Sequence, residues 1–356
     1  MTFRLRHIAR ALALPLVLSL VAACTQTPGA SNAPATATVA ATPAGPAGTL
    51  TIAMRGDIQS PHPYLSYDIV GISYRYNIFD SLVEWDANGK IVPGIAESWK
   101  VDGLNITWTI RKGVKFHNGD PVTADDVKFS LDTIKSKDLN SGSAGNFGAV
   151  DSATVVDANT VTWKLSRIDA RIFDTTANNL SILPMKYYAS VGQAGFIAKP
   201  IGTGPFKFVS WAKDDRLTME ANTDYWSGSP KGKPLVKTLV FRAIPTASTR
   251  VSELKAGSVD MVQDLPTDQV DPLKSSGFNV VESKSPVYNW AFFNTLNTAA
   301  SAKPLQDTRV RQAMNYAVDT ATIIKTVLYF LCLLVVLATV LPLSKTVGVY
   351  ALCPFR

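Results

Sequence analysis

The sequence predicts an α/β fold with a mixed sheet, and three observations carry that expectation. Thr49–Met54 alternates in polarity and is rich in β-branched and apolar residues, as a strand does. Segments with helical spacing, Tyr74–Leu82 and the run that begins at Thr123, are interleaved with extended ones. With 356 residues, 46% hydrophobic and 18% charged, the chain buries a real core and has room for two ordinary domains.

The chain opens with the short basic segment Met1–Arg10 and the apolar run Ala11–Ala22, which has the length of a signal-peptide core. Leu20–Cys24 resembles a bacterial lipobox, with small residues ahead of a cysteine whose thiol accepts diacylglycerol before cleavage. An ordinary secretory leader with an incidental cysteine is the alternative, and either reading exports the protein. Residues 1–23 are thus expected to be a lipoprotein signal peptide with Cys24 as the lipidated residue. Residues 25–47 carry no charge and no aromatic ring and cannot bury enough apolar area to offset their ordering entropy, so 24–47 reads as a flexible tether.

The body begins with the strand Thr49–Met54 and a polar, proline-bearing loop, Arg55–Tyr64. Ligands approach open α/β sheets at the carboxyl ends of strands, so this loop is a candidate site. Tyr74–Leu82 is expected to be helical, with Ile78, Phe79 and Leu82 on one side, and Ala87–Gly89 supplies a turn between two short extended segments. Ala96–Asp120 reads as strands joined by polar turns. Thr123 and Asp126 have capping-box spacing, so a helix starts there with Val127, Leu131 and Ile134 on its buried stripe.

Charge and rare residues bound the chemistry. The formal charge is +7, but five bases (Arg4, Arg6, Arg10, Lys345, Arg356) lie outside residues 48–325, leaving 30 bases against all 28 acids there. Counterion release from a nucleic acid needs clustered Lys and Arg, and the sequence shows no such cluster, so nucleic acid is not an expected partner. Cys24, Cys332 and Cys353 all lie outside the body, and only His62 and His117 remain as imidazoles within it. No Gly-x-Ser-x-Gly elbow and no His-Glu-x-x-His motif is present. A secreted hydrolase working through a carboxylate pair stays open as the alternative, because such pairs meet in space.

Ala96–Leu131 resembles the signature of solute-binding protein family 5, the dipeptide, oligopeptide and nickel receptors of ABC importers. Ile201–Phe208 with Asn222–Trp226 is similar to the family's return to its first lobe, and Arg250–Asp260 to its helix, turn and strand. Phe293–Thr295 followed by Asp307–Asp319 resembles the next landmark. The resemblance implies a two-lobed, type II periplasmic-binding-protein-like fold. Lobe I then comprises 48–82 and 200–285, 83–199 is an inserted subdomain, and 286–325 begins lobe II. The rest of that lobe is expected to be largely missing, because the resemblance stops near Tyr329 and 326–356 is a divergent hydrophobic tail. The run Thr326–Leu343 is 18 residues long, enough for a marginal membrane span, although a frameshift or truncated gene is the favoured reading.

The resemblance further implies a monomeric, extracytoplasmic, lipid-anchored receptor. It binds peptides, or similar small solutes such as sugars, and delivers them to permease subunits, with no enzymatic activity, cofactor or metal. Ligand-lining positions carry over to Asp57, Ile58 and Gln59, to Gln263 and Asp264, and to Val287 and Tyr288. Gly202, Gly204 and Pro205 are expected to form a tight crossing, with glycine used for positive φ. Trp99, Trp108, Trp226 and Phe116 are expected core anchors, His117 a solvated turn residue, and Arg309 and Arg311 with Asp307 and Asp319 a salt-bridge network at a helix start. In peptide-binding members an acidic residue that holds the ligand's amino terminus lies in the second lobe. The chain as written is therefore expected to bind its solute poorly, and a non-functional truncated receptor is a further alternative.

Overall fold

The structure is a computed structural model and describes residues 45–281, 299–319 and 322. Its first strand, Thr49–Met54 (β1), leads into the helix Ile69–Ile78 (α1), whose N-cap carboxylate, Asp68, accepts from the N–H groups of Val70 and Gly71. This corrects the helix expected over Tyr74–Leu82, because Asp68 starts it five residues earlier and Phe79 already leaves it in an extended conformation. Val83–Trp85 (β2) and Ile91–Pro93 (β3) pair across the Ala87–Gly89 turn, where Gly89 takes φ +76°.

Ala96–Asp102 (β4) and Asn105–Ile110 (β5) pair antiparallel, and Ala124–Lys135 (α2) starts where the capping spacing puts it. The Asp126 carboxylate accepts from the Thr123 N–H at 2.9 Å and from its hydroxyl at 2.8 Å, and Val127, Leu131 and Ile134 are all buried. Val150–Asp157 (β6) and Thr160–Leu165 (β7) complete a four-stranded antiparallel sheet in the order β4-β5-β7-β6. Ile172–Asn179 (α3) and Met185–Ala198 (α4) follow, the latter interrupted at Gly192 with φ +68°.

The chain then returns through Phe206–Ala212 (β8), Arg216–Ala221 (β9) and Thr238–Ala243 (β10), then Ala247–Lys255 (α5) and Met261–Val262 (β11). These strands join β1 in a five-stranded sheet of order β11-β1-β10-β9-β8. It is mixed, since β1 runs parallel to both β10 and β11 while β9 is antiparallel to its two neighbours. Val270–Ser275 (α6), Lys303–Gln306 (α7) and Thr308–Ala317 (α8) close the described chain. Asp307 caps α8 by accepting from the Arg309 N–H at 2.8 Å and also pairs with the Arg309 side chain at 2.7 Å, whereas Arg311, expected in the same network, donates instead to the carbonyls of Leu305 and Gln306 and to the Thr308 hydroxyl.

One apolar cluster runs from Met54 through Trp108 and Trp163 to Phe241, so the two large sheets share a core. Trp108 and Trp163 are fully buried with ring centroids 5.2 Å apart, edge to face. Phe116 and Trp226 are buried as well, and Trp99 packs against Trp108.

The crossing at Gly202 and Gly204 is tight for a reason other than the expected one. Neither glycine has positive φ. A Cβ on Gly202 would stand 2.0 Å from the Ile78 carbonyl oxygen, and one on Gly204 2.5 Å from the Asn77 oxygen, so the requirement is space for backbone against backbone. No helix among the described residues is long and apolar enough to cross a membrane, and the run Thr326–Leu343 lies outside them.

Candidate functional site

The candidate site lies at the carboxyl ends of β1 and β11, which the parallel pairing Ile52–Met261 and Ala53–Val262 brings side by side. The loop after β1 is bound to the end of β11 by Arg55 and Asp264, whose side chains form an ion pair at 3.4 Å. Asp264 is held at φ +56°, a conformation that non-glycine residues seldom adopt, and its carbonyl accepts from the Arg250 guanidinium at 3.1 Å. Arg250 also donates to the carbonyls of Ile244 and Pro245, so one buried side chain ties α5 to the ends of both β10 and β11.

The carried-over site residues divide into two kinds. Asp57 is committed to structure: its carboxylate accepts from the Trp211 indole at 2.9 and 3.0 Å and from the Asp214 N–H at 2.7 Å. Ile58 is buried in the core. Gln59 is exposed, its N–H donated to Ser66 Oγ at 3.1 Å, and Asp264 is exposed beside Arg55. Gln263 donates its N–H to the Ala53 carbonyl and its amide nitrogen to Ser73 Oγ at 3.3 Å, while its buried Oε1 has no hydrogen-bond partner among the described residues. Val287 and Tyr288 lie outside the described residues.

The two body histidines are structural. His62 is buried, with Nδ1 accepting from the Tyr64 N–H and Nε2 3.3 Å from the Tyr188 hydroxyl. His117 corrects the expectation of a solvated turn residue: Nδ1 accepts from the Gly202 N–H at 3.2 Å and Nε2 lies 3.0 Å from the Gly204 carbonyl. These partners place the ring proton of each on Nε2. Burial pushes both imidazoles down to about 4, from an ordinary value near 6.5.

Between those values the unfolded chain binds more protons than the folded one, so this contribution to stability is complete above about pH 6.5 and is lost as pH falls toward 4. The urea unfolding midpoint should therefore be lower at pH 4.5 than at pH 7, and His62→Gln should shrink that difference. A midpoint that holds steady or rises on acidification would contradict the burial of these rings.

A second polar group was invisible in the sequence. Asp80, fully buried, accepts from the Tyr225 hydroxyl (2.9 Å), the Trp226 indole (3.0 Å), the Thr203 hydroxyl (3.0 Å) and the Lys231 ammonium (2.9 Å). Glu84 accepts from the Ser81 N–H and stands 3.2 Å from the same ammonium. Burial works to raise the pKa of Asp80, but Lys231 and the surrounding donors outweigh it and hold the carboxyl below its ordinary value. For Glu84 burial wins and the pKa rises. Burial would lower the Lys231 ammonium, yet the two carboxylates hold it above its ordinary value. The arrangement fastens the crossing and offers no open carboxylate pair. Among the described residues no group of His, Cys, Asp and Glu is placed to hold a metal ion.

Residues 90–331 match the family model described as bacterial extracellular solute-binding proteins, family 5 middle. The Haemophilus influenzae heme-binding protein A is 33% identical over 296 residues, which cover 73% of this chain and 51% of that protein. The Escherichia coli dipeptide-binding protein is 33% identical over 276 residues, covering 70% and 50%. Among solved structures, the Helicobacter pylori ABC transporter-associated periplasmic binding protein DppA, in complex with the peptide STSA, superposes with a TM-score of 0.71 at 28% identity, covering 80% of this chain and 59% of that one. The chain thus spans about half the length of the curated relatives it matches, and its mixed α/β architecture is that of the type II periplasmic binding proteins.

Proposed function

The chain belongs to the family 5 bacterial extracellular solute-binding proteins, and on that premise we propose that it forms one wall of a solute cleft outside the cytoplasm and serves an ABC importer's permease. Peptides are the favoured solutes. The observation that carries this reading is the Gln263 Oε1, unpartnered among the described residues and buried at the carboxyl ends of β1 and β11 beside the strained backbone of Asp264. A buried amide oxygen without a donor leaves a hydrogen bond unmade, and in this reading rotation of the Gln263 side chain toward the cleft offers that oxygen to a backbone N–H of an extended peptide.

In this reading 48–82 and 200–285 make lobe I, supported by the pairing of β1 with β10 and β11, and 83–199 is a subdomain inserted into it. Residues 286–325 begin lobe II. The role is that of a receptor without catalysis, supported by imidazoles that are both committed to backbone and core partners. A lipid at Cys24 completes the reading, supported by the lipobox-like Leu20–Cys24, which lies outside the described residues.

A photoreactive tripeptide offered to membranes bearing the full chain tests it. Labelling is expected to saturate, to be competed by unlabelled di- to pentapeptides, and to move to the soluble fraction with Cys24→Ala. Labelling that unlabelled peptides do not compete would overturn the peptide reading, and a labelled Cys24→Ala chain that stays with the membrane would overturn the lipid anchor.

A further inference from the structure

The fold assembles a basic cluster that the sequence scatters over more than a hundred positions. A recess of about 630 Å³ is lined by Arg111, Lys112, Lys115, Lys207 and Lys233, against a single carboxylate, Asp224. Among the described residues none of these five cations forms an ion pair. Glu220, which faces Lys207 across the β8–β9 ladder, does not line the recess. His117 is held neutral by burial, so it neither adds to the cluster nor offsets it.

The recess is not part of the candidate cleft. Thr49, Thr238, Glu220 and Lys207 stand in one row across the five-stranded sheet, at the amino end of β1. Asp57 meets Trp211 of β8 at the opposite end. Six residues of strand at about 3.3 Å each separate the two ends by roughly 17–20 Å.

The guanidinium of Arg111 is pre-set for recognition. It lies 5.2 Å over the Trp226 ring, and Nε points to the Gly94 carbonyl at 3.4 Å. Its terminal nitrogens make no hydrogen bond among the described residues, which leaves that side of the planar fork for a ligand. Cations gathered around one recess repel one another, and a multivalent anion relieves that repulsion while accepting charge-assisted hydrogen bonds. From these features we infer that the recess is a second binding site, outside the solute cleft, for a phosphate-type oxyanion.

Such an anion has two sources, a free phosphate compound or an anionic lipid headgroup, and the test separates them. The full chain, purified in detergent, is titrated with pyrophosphate by calorimetry at low ionic strength. A variant with Lys112→Gln, Lys115→Gln and Lys233→Gln, all at exposed positions, is compared with a control of equal charge loss carrying Lys100→Gln, Lys137→Gln and Lys164→Gln. The recess variant should bind roughly tenfold or more weakly, as expected for lost hydrogen bonds to a charged group, and the control should bind like the unaltered chain. Vesicles containing phosphatidylglycerol form the second arm. Vesicle binding that pyrophosphate competes, and that the recess variant loses, supports the site with a headgroup as its ligand. Pyrophosphate binding without vesicle binding supports it with a free anion. No binding of either probe, or equal losses in the recess and control variants, overturns the proposal.

Discussion

Lys231→Met should destabilise the fold by about 3–5 kcal/mol at pH 7, the range for removing one partner of a buried ion pair. The methionine fills most of the lysine's volume, so the loss is electrostatic. Asp80 and Glu84 are left in the core without their shared ammonium, and their remaining donors are neutral. The sign of the pH response identifies the cause. Without Lys231 the folded-state pKa of Asp80 rises and that of Glu84, already above its ordinary value, rises further, so protonation favours the folded state and the deficit relative to the unaltered chain should shrink between pH 7 and pH 5. Urea unfolding of both proteins at the two pH values measures it. By comparison, Lys128→Gln breaks only an exposed i,i+4 pair and should cost no more than about 0.5 kcal/mol. A Lys231→Met loss below about 1 kcal/mol, or one that grows on acidification, would show that the cluster is not what fastens the crossing.

Gly202→Ala should be nearly as damaging, at about 3 kcal/mol or more, the upper end for forcing atoms into a packed interior. The added methyl would sit 2.0 Å from the Ile78 carbonyl oxygen and 2.8 Å from Phe79 Cδ1. Neither can step aside cheaply, because the Ile78 carbonyl also accepts from the Gly204 N–H at 2.9 Å. Retreat of the Gly202 segment would break its exchange with His117, which donates its N–H to the Gly202 carbonyl and accepts from the Gly202 N–H. Gly145→Ala is the matched control, since its Cβ would meet nothing within 4 Å and its φ is not positive, and it should change stability by less than about 0.5 kcal/mol. Thermal unfolding of the three proteins in parallel decides the matter, and equal midpoints would refute the close approach.

What was legible in the sequence is what local chemistry specifies. The capping spacing of Thr123 and Asp126 fixed the start of α2, the glycine turn at Gly89 the β2–β3 hairpin, and the alternation of Thr49–Met54 the first strand. The start of α1 had a local signal too, the carboxylate of Asp68, which Tyr74–Leu82 periodicity obscured. Its end had none, because Gly202 and Gly204 lean on Ile78 from more than a hundred residues away. The same distance hid the Asp80–Lys231 pair, 151 positions apart, and made His117, which does sit in a turn, a partner of the crossing rather than a solvated side chain.

The site was legible in part. The family resemblance pointed to the loop after β1, but side-chain direction within it is decided by tertiary partners: Trp211 draws Asp57 aside, and the core takes Ile58. The basic recess escaped notice because its members come from three separate segments, no one of which is a run of charge.

The proposed solute-facing wall at the carboxyl ends of β1 and β11 is tested most directly by mapping the photoreactive tripeptide's attachment points. The full chain is labelled at millimolar peptide, digested and sequenced by mass spectrometry, so that weak binding does not hide the contact. Attachment is expected at Gln59, Gln263 and Asp264 or their immediate neighbours, with Gln263→Ala reducing the yield at all three. Competed attachment concentrated elsewhere, with those positions unlabelled and yields indifferent to Gln263→Ala, would contradict it.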